Sequence, residues 1–321
     1  MIDSGLQQTY EKQAEMLANR IRKRFRHLRK RFARQHIEVF RLYDWDIPEI
    51  RAVVDWYGGH LVIGEYTRTQ STPDWLPKMA AAVARALDVG SDKIHLKARL
   101  YGKNRGKQYQ RVAHTDKMIV VRERDLKFYV NPWDFVDTGL YSDHRNTRQM
   151  IREAAAGKDF LNLFCYTGSF TCYAAKGGAR TTVSVDRSRT AVSWAQQNLK
   201  LNGFGGRDHR LIQHHVIDFL RRPPDNLQKF DLAMVDPPSF YTIRSKDQHF
   251  DIAADHPGLL NSVAALMRDG GTIYFSTNHQ AFDLHERTLN VSQIEEITSR
   301  TIPEDYQSKR KKIHRCWKIS M

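Results

Sequence analysis

A doubly wound α/β fold, preceded by a basic helix and a small α+β domain, is predicted by three features of this 321-residue chain. Beyond Asp159, short β-rich runs alternate with helical stretches, the pattern of parallel strands joined by crossover helices. Those runs end in a Gly-containing turn, in an acid, and in an Asp-Pro-Pro turn. Ahead of them, nine of the fifteen residues 20–34 are Lys or Arg, set against an apolar stripe of helical period.

The composition narrows the classes. Hydrophobic residues at 41%, charged residues at 27%, 18 Gly and 10 Pro exclude collagen-like and broadly disordered chains. No run approaches the roughly 18 to 20 apolar residues of a membrane span, and the first residues lack the apolar core of a signal peptide, so a cytoplasmic location is expected. Cys165, Cys172 and Cys316 are an odd set without CxxC or His/Cys ligand spacing, so neither a disulfide framework nor a metal site is expected. Lys and Arg number 51 against 36 Asp and Glu. The excess is front-loaded: 28 basic against 18 acidic in residues 1–150, and 23 against 18 thereafter. A surplus of this kind suggests a polyanionic partner.

Three segments follow: a basic helix at 1–37, an α+β RNA-binding domain at 38–135, and a catalytic domain at 136–321. In the first, Leu17, Ile21, Phe25, Leu28 and Phe32 recur at helical spacing, leaving Arg22, Lys23, Arg26, Arg29 and Lys30 to contact phosphate. A solvated charged face is the alternative, and a membrane-surface helix is a third reading without a second anchor, so no membrane partner is expected. In the second, β-rich runs at 39–42 and 61–63 precede a helix at 78–87. A strand at 93–99 alternates basic with apolar residues and leads to a Gly-punctuated turn at 101–109. This reads as a hairpin whose tip carries Lys103, Arg105 and Lys107. The third has its clearest strands at 160–164, 181–186, 230–236 and 271–276.

The first of these strands runs into Asn162-Leu163-Phe164-Cys165-Tyr166-Thr167-Gly168-Ser169, a turn that brings backbone close to a ligand at the sheet's carboxyl edge. One glycine replaces the three of a dinucleotide fingerprint, which argues against a nicotinamide. The second strand ends in Asp186, placed to accept hydrogen bonds from both hydroxyls of a ribose. A nucleoside cofactor without a pyrophosphate fits better. The third strand runs into Asp236-Pro237-Pro238-Ser239-Phe240, where two prolines stiffen the turn so that a carboxylate, a carbonyl and an aromatic ring face one small space.

With these three turns the sequence resembles the S-adenosylmethionine-dependent methyltransferases. In that family the Gly turn holds the cofactor's amino-acid end, the acid holds its ribose, and the Asp/Asn-Pro-Pro turn faces the methyl group and the target base. The resemblance tightens through Gly157-Lys158-Asp159, Gly177-Gly178, Val185-Asp186 with Ser188-Arg189-Thr190, Asn198-Leu199, Leu201-Asn202-Gly203, Gly270-Gly271-Thr272 and Ile313-His314 with Cys316-Trp317, and it implies that Arg187 and Ser188 join Asp186 at the cofactor. Arg41-Leu42-Tyr43-Asp44 and Asp137-Thr138-Gly139-Leu140 with Asp143-His144-Arg145 join it at the front. Together, from roughly residue 15 onward, they are similar to the RlmK half of the RlmKL family of bacterial large-subunit rRNA methyltransferases. That implies a Rossmann-like class I methyltransferase fold, S-adenosyl-L-methionine as cofactor, and methylation of N7 of guanine 2069 in 23S rRNA or its precursor. Asp143 and Arg145 match the family's Asp-x-Arg near the cofactor's amino-acid end, with a structural ion pair as the rival reading. Where the family has an acid facing the adenine, this chain has His215, Val216 and, three places after His215, Asp218. RlmKL also carries a second methyltransferase and an RNA-binding domain that this sequence does not, so a separate RNA-binding methyltransferase is an expected partner.

The chemistry expected is simple. Related cytosine-C5 enzymes need a thiolate, but Thr277 stands in that place here, and the three cysteines read as small packed hydrophobes. Guanine N7 offers a lone pair without deprotonation, so alignment is the main requirement. Asp236 would favour the cationic purine, Pro237 would shape the turn, and Phe240, with Tyr241 second, would replace the stack the base leaves. The segment 241–250, with Arg244 and Lys246, would act as a substrate flap. The run Lys309-Arg310-Lys311-Lys312 beside His314 and Arg315 reads as an rRNA contact or a solvated turn. Exocyclic-amine methylation is the enzyme alternative, although Tyr usually follows Asn/Asp-Pro-Pro there. A non-catalytic rRNA-binding assembly factor is the alternative of another class.

Overall fold

The computed structural model describes residues 4–67, 71–100, 111, 113–243, 248–307 and 312–321. Two compact units emerge, Met1–Ser142 and Asp143–Met321.

In the first unit α1 spans Ser4–Arg34, beginning well before the basic stretch, because Tyr10, Ala14, Leu17, Ala18 and Ile21 extend the buried stripe backwards. It shares one core with α2 (Trp75–Leu87) and with β1 (Val39–Asp44), β2 (Ala52–Tyr57) and β3 (His60–Thr67). The helix is therefore part of this unit's core and not a separate arm. β1, β2 and β3 pair antiparallel, and β4 (Ile94–Leu100) adds to β3 in parallel. The alternation along β4 runs opposite to the usual sense: His95 and Lys97 are buried and Leu96 is 43% exposed. Partners make this tolerable, since Lys97 Nζ donates to the Trp133 carbonyl at 3.1 Å and His95 meets His60 at 3.0 Å. β5 (Ile119–Glu123) and β6 (Leu126–Val130) form a two-stranded ladder. The expected hairpin tip, with Lys103, Arg105 and Lys107, lies outside the described residues.

The second unit opens with α3 (Arg145–Ala154). There follow β7 (Asp159–Leu163), α4 (Ser169–Lys176), β8 (Thr181–Asp186), α5 (Arg189–Leu201), β9 (His209–Gln213), α6 (Val216–Arg221) and β10 (Phe230–Val235). β11 (Phe240–Ile243) and β12 (Gln248–Asp251) make a hairpin, then come α7 (Ile252–Ala264), β13 (Met267–Thr277), β14 (Gln293–Glu296), α8 (Thr298–Thr301) and β15 (Arg315–Ser320). The main sheet has the order β14-β15-β13-β10-β7-β8-β9, with β15 antiparallel to both neighbours. Residues alternate between its two faces: Leu161 and Leu163 pack with Ala233 and Val235, whereas Phe160 packs with Leu232 and Met234 on the other side. β7 connects outward to β8 and β10 outward to β13, so the direction reverses between them. At such a reversal two loops part beyond the carboxyl ends of the strands, where α/β proteins bind ligands. Among the described residues, no helix is long and apolar enough to cross a membrane.

Candidate active site

Three of the five residues after Leu163 have left-handed backbone, Phe164 at φ 57°, Tyr166 at 49° and Gly168 at 73°. That conformation is costly for the first two, and polar contacts hold it. Tyr166 N–H donates to Asp186 Oδ2 at 3.0 Å, and Asn198 Nδ2 donates to the Thr167 carbonyl at 2.9 Å. Gly168 is required twice over: a Cβ there would sit 2.8 Å from Ala195 Cβ, besides the strain of its φ. Beneath the turn Asn162 is buried and donates to Thr171 at 2.9 Å, which bonds Ser184 at 2.7 Å. Asn162 thus braces the turn from below, and Ser169 opens α4 half-buried.

At the end of β8, Asp186 also accepts the Ser188 N–H at 2.8 Å. Burial raises its pKa against those two hydrogen bonds. Ser188 caps α5, its Oγ accepting from Ala191 N–H at 3.2 Å. Arg187 is exposed, with its guanidinium 5.2 Å from the Tyr241 ring centroid. At the end of β9, His215 presents its edge to the same ring, 5.4 Å away at 77°, and its Nδ1 is 3.6 Å from Asp218 Oδ2. Val216 is buried in the core, so only His215 and Asp218 of that trio stand at the rim.

Asp236 follows β10. Ser276 donates to its Oδ1 at 2.6 Å, and Ser239 donates to Asn278 Oδ1 at 2.6 Å, so two hydrogen bonds lace the Pro-Pro turn to the end of β13. Pro237 is buried while Phe240 is 60% exposed, an unusual position for a large ring. Tyr241 differs: it is buried and stacks on Phe250 at 5.1 Å and 14°, which fastens the hairpin to the core and leaves Phe240 as the exposed ring of this pair. Arg244 and Lys246 lie outside the described residues, as do residues 309–311 of the late basic run.

The Asp236 carboxyl is pushed up to about 6, first by loss of hydration and further by the Asp143 charge, against the Ser276 hydrogen bond. Around it stands a group of which sequence reasoning singled out only Asp143, and for a place at the cofactor's amino-acid end. His144 Nε2 lies 3.7 Å from Asp236 Oδ2 and 3.8 Å from Asp143 Oδ2. The His144 ring stacks on His314 at 4.2 Å and 11°, and His314 Nδ1 is 3.2 Å from Asp143 Oδ2. Asp143, His144 and His314 are near enough to suggest a metal centre. Two parallel stacked rings, however, share no point lying in both ring planes, where imidazole lone pairs aim, so the geometry is that of a hydrogen-bonded cluster. Arg145 is buried and ion-paired with Asp305, which supports the structural reading of this arginine over a contact with a cofactor carboxylate. No periodicity could have revealed the cluster: His144 and His314 are far apart in sequence and meet only because β15 inserts beside β13.

The three cysteines are free and buried, and burial raises each thiol's pKa, that of Cys172 to about 12. None is poised as a nucleophile. An open cleft lined by Lys158, Arg180, Asp231 and Arg268 lies at the opposite, amino-terminal edge of the sheet, where Arg268 pairs with Asp231 at 2.8 Å. On α1, in the other unit, Arg22, Lys23, Arg26, Arg29 and Lys30 are all exposed.

A profile of the S-adenosylmethionine-dependent methyltransferase family matches residues 76–303. The chain belongs to that family. Among solved structures, SMU.776, described as a methyltransferase and solved with S-adenosylhomocysteine, superposes with a TM-score of 0.74 at 21% identity, over 95% of this chain and 82% of its own. An Agrobacterium tumefaciens S-adenosylmethionine-dependent methyltransferase gives 0.59 at 16% identity, over 84% and 87%. The M. jannaschii tRNA m1G37 methyltransferase gives 0.55 at 13%, over 94% and 77%. At these identities the likeness speaks for the Rossmann-like class I fold. The cofactor of this methyltransferase is S-adenosylmethionine. The donor set suits it: a carboxylate for a ribose diol at Asp186 and a left-handed backbone turn at residues 164–168 that holds one glycine where a pyrophosphate cradle has three.

Proposed function

We propose that this methyltransferase acts on RNA and, in line with its resemblance to the RlmK half of RlmKL, methylates N7 of a guanine in 23S rRNA or a large-subunit precursor. The observation that carries this reading is a single rigid turn that presents the Asp236 carboxylate and, four residues on, the exposed ring of Phe240. The basic face of α1 and the RNA-modifying activity named for the M. jannaschii relative both support a nucleic-acid substrate.

When bound, S-adenosylmethionine supplies an electrophilic methyl group. Asp186 and the turn at 164–169 would hold and orient its nucleoside and amino-acid ends, and His215 and Asp218 would meet its adenine. Phe240 takes the place of a lost stacking neighbour once the target base leaves its helix, a step that costs a few kcal/mol. Purine N7 carries its lone pair outward, so no side chain has to remove a proton. Holding nucleophile and methyl in line supplies on the order of 7 to 11 kcal/mol of barrier reduction. As positive charge moves onto the purine, the Asp236 carboxylate stabilises it across a partly dehydrated gap.

Incubation with labelled S-adenosylmethionine and unmodified 23S rRNA, followed by mass-spectrometric mapping, tests the reading. Label on guanine N7 is expected. Label on cytosine or on an exocyclic amine would overturn the assignment, and failure to bind S-adenosylmethionine in calorimetry would favour an assembly factor.

A further inference from the structure

The Asp143, His144 and His314 group is not needed for any step above, yet it abuts the Asp236 carboxylate, with both histidines buried. Its hydrogen bonds fix where protons can be. Thr301 Oγ1 donates to the Thr298 carbonyl at 2.9 Å, so its lone pair must accept from His314 Nε2–H, 3.0 Å away. The Nε2 of His314 is therefore protonated. Its other nitrogen, Nδ1, faces a carboxylate oxygen of Asp143 at 3.2 Å. A bare imidazole lone pair against a bare carboxylate would be repulsive, so a further proton lies between them, whether drawn on the nitrogen or on the oxygen.

The surroundings allow only one such proton: burial and His144 lower the His314 pKa, and the Asp143 hydrogen bond opposes them. His144 stacks face to face on His314, and two imidazolium rings at 4.2 Å would repel in a site this dry. From α3, Arg148 adds positive charge toward Asp236, while Arg145 is held by Asp305. From β10 comes Asp236 itself, from β13 the Ser276 donor, and from α8 the Thr298 and Thr301 pair. Cys316 on β15 faces the same space as a neutral thiol, its pKa raised by burial.

We propose that Asp143 and His314 share one buried proton beneath His144, and that this pair sets the charge of Asp236, which makes both of them positioning residues for methyl transfer. With the proton on the nitrogen the two act with opposite sign: the Asp143 carboxylate favours a protonated Asp236, whereas the His314 ring favours the ionised form in which Asp236 can stabilise a cationic purine. The functional half of this inference rests on the reading of Asp236 given above, but the shared proton does not.

Two measurements separate those halves. Proton NMR of the full-length wild type, with 15N-labelled histidine and no substrate, is expected to show a slowly exchanging low-field proton at neutral pH that disappears in both Asp143→Asn and His314→Gln. In the pH profile of turnover, the acid limb is expected to move up by roughly one pH unit in His314→Gln, about a tenfold loss at a fixed pH below the limb, and down by a similar amount in Asp143→Asn. Absence of the low-field proton in the wild type, or stoichiometric Zn2+ uptake by the Asp143 and His314 group, would overturn the shared proton. Limbs that move together or stay in place would overturn the positioning role, whichever nucleotide proves to be methylated.

Discussion

Replacing Gly168 by Ala tests whether the cofactor turn is strained and tightly backed as described. The new methyl would meet Ala195 Cβ at 2.8 Å and the Ala195 Cα at 3.3 Å, while the backbone holds φ at 73°. A left-handed alanine costs roughly 1 to 2 kcal/mol, and wedging a methyl against a packed helix adds about 1 to 3 kcal/mol. Relaxation at the far side of α5 absorbs part of this, so a net loss of about 2 to 4 kcal/mol is expected, a fall in melting temperature on the order of 5 to 15 °C for a unit of this size. The assay is thermal unfolding followed by circular dichroism, paired with calorimetric titration of S-adenosylhomocysteine. If the chain instead keeps its stability by moving the turn, affinity falls, because Tyr166 and Asp186 then lose their register. A variant that melts within a degree of the wild type and binds S-adenosylhomocysteine equally well would refute both the strain and the close approach.

Four further outcomes follow from the same geometry. Asp186→Ala should weaken cofactor binding first, whereas Asp236→Ala should lose turnover while keeping much of its affinity; isothermal titration beside a turnover assay would expose a reversed pattern. Folded Asp236 binds its proton more tightly than the unfolded chain does, so its ionisation penalises folding fully above about pH 6 and not at all below 3.8. Asp236→Asn should therefore raise the melting temperature at pH 7.5 and leave it unchanged near pH 3.5, while wild-type turnover falls as pH drops through about 6. Phe240→Ala should change stability by no more than about 0.5 kcal/mol yet cut RNA methylation roughly 5- to 150-fold, and Tyr241→Ala should destabilise by about 3 kcal/mol. Reversing Arg22, Lys23, Arg26, Arg29 and Lys30 to Glu should flatten the dependence of RNA affinity on salt by roughly 0.7 in log–log slope for each phosphate that is no longer neutralised, read by filter binding across salt concentrations.

The parallel sheet is legible in the sequence because its β-rich runs lead into turn signals: Asp186 closes β8, Asp236 directly follows β10, and Gly168 lies five residues past the end of β7, where α4 begins. α1 is longer than its charge run suggests because Tyr10 and Ala14 carry the same stripe without the dense basic flank that marks residues 20–34. β4 shows the limit of alternation: a lysine can face inward when a carbonyl waits for it, and that carbonyl belongs to Trp133, far along the chain. The histidine cluster is illegible for a related reason. His144 and His314 each sit inside a recognisable motif, but their meeting is set by strand order, which residue spacing does not encode.

β15 lies in the interior of its sheet, flanked by β13 and β14, although it is drawn from residues 315–320. Loss of residues 315–320 would therefore part β13 from β14 and open a gap inside the sheet rather than fray its border.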